Sequence, residues 1–523
     1  MPKQERFFNT VGSVIPEDHY FLPHRLNENQ LMEFIEKKYY FILHAPRQSG
    51  KTTAVMEFVN KLNKQGNYIA LYASAEAAHC AVNDVKRASL ALLEYFKSQI
   101  AFYLPKETEA LTYLDENLQQ KNISENSIYY FLAFWATKCL EKHTPLLIFF
   151  DEFDGLVGES LVSLLKQFRL GYIGRPKPFP QTICLVGVRD LRDYKVKTKQ
   201  QEDLEVLYSP FNVKSDSIIL PDFSLDDVRT LYGQHTKETG QIFTEKAVEY
   251  AYEQTRGQPW LVNALAYQAC FRDVKDRLIP ITKEVMERAR EALIKRCDTH
   301  MDALLDRLHE PRVLRIVDAL ISGEGENQDF PIDDLQYVQD LGLINMKGLC
   351  IANPIYKEII PRTLSYAKQN TITQETSWYQ KEDGNLDVSK LLTGFTEFYR
   401  ENSEIWLERF AYKESGPHLL LLAFLQRIIN GGGTIHREYA LGRKRVDLLI
   451  TWKTQCFVIE LKVYRQKQDI EKGLKQTAEY MDKTGATEGY LIVFDRNSKK
   501  SWTKKIYHKI EKVEGKKIEI WGM

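Results

Sequence analysis

The chain has 523 residues, too many for one hydrophobic core, so several domains are expected. Its 44% hydrophobic and 27% charged residues are those of ordinary globular protein and exclude a disordered or membrane-embedded chain. Lysine plus arginine balances aspartate plus glutamate at 71 each, so affinity for a polyanion has to come from local basic surfaces. No segment approaches the ~18 apolar residues of a membrane span, and the start MPKQERFF lacks the apolar stretch of a signal peptide. The seven cysteines lie far apart with no CxxC pair, several inside apolar runs. They read as buried free thiols of a cytoplasmic protein.

In chain order, the apolar runs YYFILHA, YIALYAS, PLLIFFDE, TICLVGV and, from Asp216, DSIILPDF alternate with helical patterns. Short buried strands separated by helices predict a parallel sheet covered on both faces. Between the first run and the helix TTAVMEFVNKL stands Ala45-Pro46-Arg47-Gln48-Ser49-Gly50-Lys51-Thr52, the strand–loop–helix context of a phosphate-binding loop. Gly50 lets the backbone approach the phosphates of ATP, and loop amides with the helix N-terminus cradle the charge. Lys51 is expected to reach the β- and γ-phosphates and the Thr52 hydroxyl to ligate Mg²⁺, with Thr53 beside it in the nucleotide site. Ala45 replaces the first glycine of the pattern, which a small residue can do because the closest approach is at Gly50. The third run ends in Asp151 and Glu152, the first to hold Mg²⁺ and the second to polarise the attacking water. Two acids at a strand end also describe a solvated turn; the loop far upstream argues for the paired reading.

After DSIILPDF the pattern turns helical. Ser224 and Asp227 form an N-cap pair, a helix from Thr244 breaks at Gly257 and Pro259, and WLVNALAYQACF opens another. From Glu310 the text reads helix, polar loop, helix, then the hairpin-like NMKGLCIANP, the order of a winged helix. Its acidic second helix, with Asp333, Asp334 and Asp340, suits a structural spacer at least as well as a DNA reader. Residues Lys368 to Asp387 are polar and linker-like, and a last α/β unit begins near Leu391. The expected division is an ATPase core at 1–215, a helical lid at 216–300, a winged helix at 301–367, a linker at 368–390 and an α/β domain at 391–523.

Over roughly residues 6–365, APRQSGKTT, IFFDEFD, FRLGYIGRP, GVRDLRDY, SPFN and RGQPWLVNAL resemble AAA-like ATPases related to the STAND and archaeal ATPase groups. The Gly257-Gln258-Pro259 triplet resembles the GxP motif of the STAND lid. The resemblance implies an αβα P-loop core followed by the lid and winged helix, and makes Arg189 a sensor facing the γ-phosphate. Arg169 reads as a solvated arginine or as a finger on a neighbour in a homo-oligomer. Only Arg256, before the GxP, offers a lid arginine.

In the last domain, GRKRVDLLI, the turn TWKTQ and CFVIELKV predict a hairpin. A spacing of two puts Glu460 and Lys462 on one strand face, and the hairpin can bring Asp447 beside them. Two carboxylates make a hard-oxygen site for Mg²⁺ or Mn²⁺, with the lysine orienting water and stabilising developing charge. An edge strand with a solvated polar face is the alternative. The D…ExK pattern resembles the PD-(D/E)XK nucleases, and Gln476 with Tyr480 resembles the QxxxY element of RecB-like members, whose glutamine lies near the metal. Glu438, or after it Glu414, either adds a further acid or stands as a plain surface carboxylate. Arg443 to Arg445 and the tail lysines, interleaved with Trp502 and Tyr507, read as a phosphate-binding surface or as a solvated helix face.

The expected function is an ATP-hydrolysing protein with a metal-dependent nuclease domain, ATP-regulated, acting on DNA in preference to RNA, in defence or mobile-element biology by analogy alone. The alternative is a STAND-like signalling or DNA-loading ATPase whose C-terminal domain binds nucleic acid or a partner without cutting.

Overall fold

All five apolar runs form strands: β1 (Tyr40–His44), β2 (Ile69–Ser74), β3 (Leu146–Asp151), β4 (Thr182–Gly187) and β5 (Lys214–Ile219). The computed structural model describes the chain except residues 1–4, 121–122, 189–213, 297–305, 322–328, 346, 348, 361–377, most of 410–432, 442–443, 465, 496 and 498–499. It has two compact units, Met1–His300 with Pro331–Met346, and Met301–Phe330 with Lys347–Met523.

In the first unit the strand order is β2-β3-β4-β1-β5 and every neighbouring pair is parallel. Each residue of β3 and β4 is buried, which explains their unbroken apolar text. Alternate residues serve two cores. Ile148 and Phe150 pack with Phe96, Phe131 and Trp135 on one face, while Leu147 and Phe149 pack with Val55, Phe58 and Phe34 on the other. Because β4 separates β1 from β3, the loops after β1 and β3 emerge at one sheet edge with a crevice between them.

The helices Leu225–Thr239, Glu245–Thr255 and Pro259–Tyr267 follow. Ser224 and Asp227 form the expected reciprocal capping box. The GQP turn has a packing reason. Gly257 has φ 81°, and a Cβ there would lie 1.9 Å from the Phe223 carbonyl oxygen. Gln258 caps the next helix by accepting from Leu261 N–H at 2.6 Å, and Pro259 fills its first turn, where no N–H is needed. Gly257→Ala is therefore expected to cost roughly 2–4 kcal/mol, read as a lowered denaturation midpoint.

The stretch expected as one winged helix is divided between the two units. Its helices run Pro311–Ile321 and Ile332–Asp340, and only the second groups with the ATPase sheet. There Asp340, only 4% exposed, stands 3.7 Å from His44 Nδ1, and a Cβ on Gly342 would press on Pro46 at 2.7 Å. Part of that helix's acidity thus serves packing beside the phosphate loop.

The second unit has a six-stranded mixed sheet of β6 (Gly433–Leu441), β7 (Lys444–Trp452), β8 (Gln455–Val463), β9 (Glu488–Phe494), β10 (Tyr507–Val513) and β11 (Lys516–Gly522), in the order β6-β7-β8-β9-β11-β10. The pairs β6–β7, β7–β8 and β10–β11 are antiparallel; β8–β9 and β9–β11 are parallel. The expected linker ends too late. Tyr379, Leu386 and Val388 are buried in this unit's core, and a helix starts at Val388. The expected first helix near Gly416 falls largely outside the described residues. The lysine-rich tail is a hairpin more than a helix face. Lys500, Lys516 and Lys517 pair with Asp495, Asp482 and Glu519, and Lys505 is buried.

No described helix is long and apolar enough to cross a membrane. Cys139, Cys184 and Cys270 are buried thiols, but Cys80 and Cys350 are exposed, contrary to expectation, and Cys297 lies outside the described residues.

Candidate functional sites

Strand β1 delivers its chain into the loop 45–50, which turns through Gly50, at φ 85°, into the helix Lys51–Gln65. The helix starts with no side-chain cap, so its first N–H groups are left for a ligand. Lys51, 7% exposed, folds back onto the loop and donates to the Ala45 and Pro46 carbonyls at 2.8 and 2.9 Å. Burial lowers its pKa, against the attraction of Asp151, Glu152 and Asp154. The Ser49 hydroxyl is buried without a hydrogen-bond partner in the same loop.

From the other side of the crevice, the fully buried Asp151 accepts from the Thr52 hydroxyl at 2.6 Å and from the Tyr72 hydroxyl at 3.1 Å, both through Oδ2. A hydroxyl and a carboxylate in contact are the hard-oxygen pair that suits Mg²⁺. Glu152 sits in the left-handed region at φ 50°, held there as its N–H donates to Asp151 Oδ1 at 2.8 Å. A strained non-glycine residue beside a ligand site is a common mark of function. The side chain lines the cavity, where desolvation, then Asp151 and Asp154, hold its carboxyl above the ordinary range. That shift makes it a stronger base for water. Thr53 also lines the cavity, its hydroxyl accepting from Val14 N–H at 3.3 Å.

The cavity measures about 500 Å³, a size that suits a nucleotide. Sequence reasoning missed much of its wall: Arg25, residues 9–14, Phe223, Trp260 and Asn263. Arg25 and Tyr72 stand in no motif, and nothing in local spacing marks them. Arg189 lies outside the described residues, and Arg169 is half-buried on the helix Gly158–Ile173.

The second cluster lies on β7 and β8. Leu449 and Val458 pack under the helix Lys467–Thr484 with Leu474, Ala478 and Met481, whereas Leu448, Ile450 and Ile459 face the opposite core. Strand alternation therefore puts Asp447, Glu460 and Lys462 on the helix-covered face. The described β7–β8 pairing ends at Leu448↔Ile459, and just beyond it Asp447 Oδ2 accepts from Leu461 N–H at 2.8 Å. Lys462 donates to Glu460 Oε1 at 2.7 Å. A Cβ on Gly473 would lie 3.3 Å from Lys462 Cγ, so the helix rests on the lysine stem, and Gln476 is one turn further along that face.

Two oxygens in this cluster are buried with no hydrogen-bond partner: Glu460 Oε2, on a residue 2% exposed, and Gln476 Oε1. Burial, then Asp447, pushes the Glu460 carboxyl well above its ordinary 4.5, with Lys462 opposing. Burial works against the charged form of Lys462, but Glu460 and Asp447 outweigh it and raise its pKa. Among the described residues no three His, Cys, Asp or Glu side chains gather as a metal site; what they offer a cation here is two carboxylates and the amide oxygen. The Glu438 and Arg443–Arg445 side chains and Glu414 lie outside the described residues.

The shift of Glu460 has a sign. A carboxyl held above its unfolded value stabilises the fold below pH 4.5, and that contribution is lost as pH rises through the folded-state value. Without metal, wild-type stability should therefore fall more steeply above pH 4.5 than that of Glu460→Gln. Melting curves across pH, in chelator, check this; equal slopes would remove the buried-carboxylate argument.

The parallel sheet, the loop between β1 and its helix, and the Thr52–Asp151 contact define a P-loop ATPase of the AAA-like class. Residues 10–354 match the AAA-like domain family, and the chain belongs to it. Residues 392–498 match a domain of unknown function. No curated protein matches the chain. Similar solved structures include a Walker-type ATPase of Pyrococcus abyssi, at 17% identity over 68% of this chain and 99% of that one, with a TM-score of 0.46. The Aeropyrum pernix ORC2 protein is 13% identical over 68% and 98%, with a TM-score of 0.40. The RuvB Holliday junction branch migration motor of Thermotoga maritima is 12% identical over 66% and 94%, with a TM-score of 0.33.

Proposed function

We propose that the C-terminal unit is a divalent-metal phosphodiesterase acting on nucleic acid, DNA in preference to RNA, joined to the Mg²⁺-ATPase and regulated by it. The observation that carries this reading is the pair of orphaned oxygens, Glu460 Oε2 and Gln476 Oε1, beside Asp447 and Lys462. A buried polar atom without a partner costs about 1–3 kcal/mol, so such a pair calls for a ligand that supplies positive charge. Asp447, Glu460 and the Gln476 amide would hold Mg²⁺ or Mn²⁺, which supplies an activated water and charge neutralisation. Lys462, poised against Glu460, would orient that water and stabilise charge on the phosphate.

In the ATPase unit, Thr52 and Asp151 would hold Mg²⁺, Gly50, Lys51 and Thr53 would contact the nucleotide, and Glu152 would polarise water, with Arg189 as sensor. The helical stretch 216–300 would act as a lid. The test is incubation of the full chain with mixed DNA and RNA and Mg²⁺ or Mn²⁺, with and without ATP. Metal-dependent cleavage that changes with ATP is the expected result. Tight binding without cleavage by the wild type would favour the non-cutting signalling or loading alternative.

A further inference from the structure

Arg25 precedes the helix Glu28–Glu36 and belongs to no motif. Its guanidinium donates through Nη1 to the Ser49 carbonyl and through Nη2 to the Pro221 carbonyl at 2.6 Å. It also lies over the Phe223 ring, 4.6 Å from the centroid. Burial draws its pKa down to about 10, opposed by Asp222 and Asp227, so it remains a cation at neutral pH. The guanidinium holds the two carbonyls with separate nitrogens of one rigid planar fork, whereas an ammonium brings all its donors to a single nitrogen.

The Ser49 carbonyl and the Gly50 N–H share one trans peptide and point in opposite directions. Holding the oxygen toward Arg25 aims the Gly50 N–H away from it, as a loop that cradles phosphate with successive N–H groups requires. A Cβ on Gly50 would lie 2.6 Å from Arg25 Nη1, so the glycine also makes room for the arginine. The other arm leads to the helical segment. Pro221 stands two residues before Phe223, whose N–H donates to the Gly257 carbonyl at 2.9 Å. The turn at Gly257 opens the helix whose Trp260 and Asn263 line the same cavity.

We propose that Arg25 is a positioning residue that presets the phosphate loop and ties it to the segment Pro221–Trp260, so that phosphate occupancy and the placement of that segment change together. The proposal rests on the reading of the Lys51 loop as the ATP site. It is tested on the full chain with Arg25→Lys, which keeps the charge but replaces the two-nitrogen fork with a single nitrogen, and with Arg25→Gln. Calorimetry with ATP and Mg²⁺ gives affinity; hydrogen exchange at saturating ATP gives the spread of protection.

Both variants should bind ATP about 10- to 100-fold more weakly, the size of a lost charge-assisted contact. At saturation, ATP should still protect the helix Lys51–Gln65 but no longer protect Pro221–Trp260. A role in stability alone would lower the melting temperature and leave both protections joined. Should Arg25→Gln not fold, Arg25→Lys decides. Wild-type affinity in Arg25→Lys, or ATP protection spreading to Pro221–Trp260 as in the wild type, overturns the proposal. Lys51→Ala is measured in parallel. If it too binds ATP normally, the site assignment has failed and the proposal with it; if it alone loses ATP, only the role of Arg25 is overturned.

Discussion

Lys51→Ala is expected to lower ATP turnover by roughly 10²–10³-fold, the usual loss when one positioned charge donor to a transition state is removed. The ammonium is buried beside Asp151 and within hydrogen-bond reach of the Ala45 and Pro46 carbonyls, so alanine removes a preplaced charge and leaves those carbonyls unpaired. Glu152→Gln should behave differently. The glutamine keeps the shape of a side chain held at φ 50° but cannot take a proton from water. Turnover should fall by roughly 10²–10⁴-fold while ATP affinity stays near wild type. Steady-state phosphate release and equilibrium ATP binding separate the two variants. Hydrolysis at wild-type rates in both would remove the assignment of this crevice as the ATPase centre.

Asp447→Ala and Glu460→Ala should each abolish divalent-metal binding at the C-terminal site and, with it, phosphodiester cleavage. Each removes one of the two carboxylates that the described residues offer a cation there, and Glu460 is the deeper, with an oxygen that has no hydrogen-bond partner. Lys462→Ala should reduce cleavage by roughly 10²-fold or more while metal affinity changes much less, since an ammonium is no ligand for a cation. It also frees Glu460 Oε1, which can only help metal binding. Calorimetric titration with Mn²⁺ beside a cleavage assay distinguishes these outcomes. A wild-type protein that takes up no divalent metal at this site would falsify the nuclease reading, whatever the ATPase does. Cleavage by Lys51→Ala, compared with and without ATP, tests whether the two activities are linked.

The strands were legible because each is an unbroken apolar run bounded by polar punctuation, and a strand buried on both faces has to be written that way. The Ser224–Asp227 cap and the Gly257–Pro259 break were legible because local backbone chemistry restricts which residues stand there. The end of the linker was not. Trp378–Asp387 is polar on average, yet Tyr379 and Leu386 find a core made by strands far along the chain.

By itself, then, the sequence determined what is local in the chain: the β1–loop–helix with Gly50, Lys51 and Thr52, the acids closing β3, and the spacing of Glu460 and Lys462. These depend on neighbours within a few residues, where periodicity and φ/ψ preference act. Only the tertiary structure decided which distant groups complete each site. Tyr72 reaches Asp151, Arg25 grips Ser49 and Pro221, Asp340 packs beside His44, and Glu460 and Gln476 are left with unpaired oxygens under one helix. Such pairings are set by how sheets and helices stack, and burial with its effect on charge arises only once that stacking excludes water.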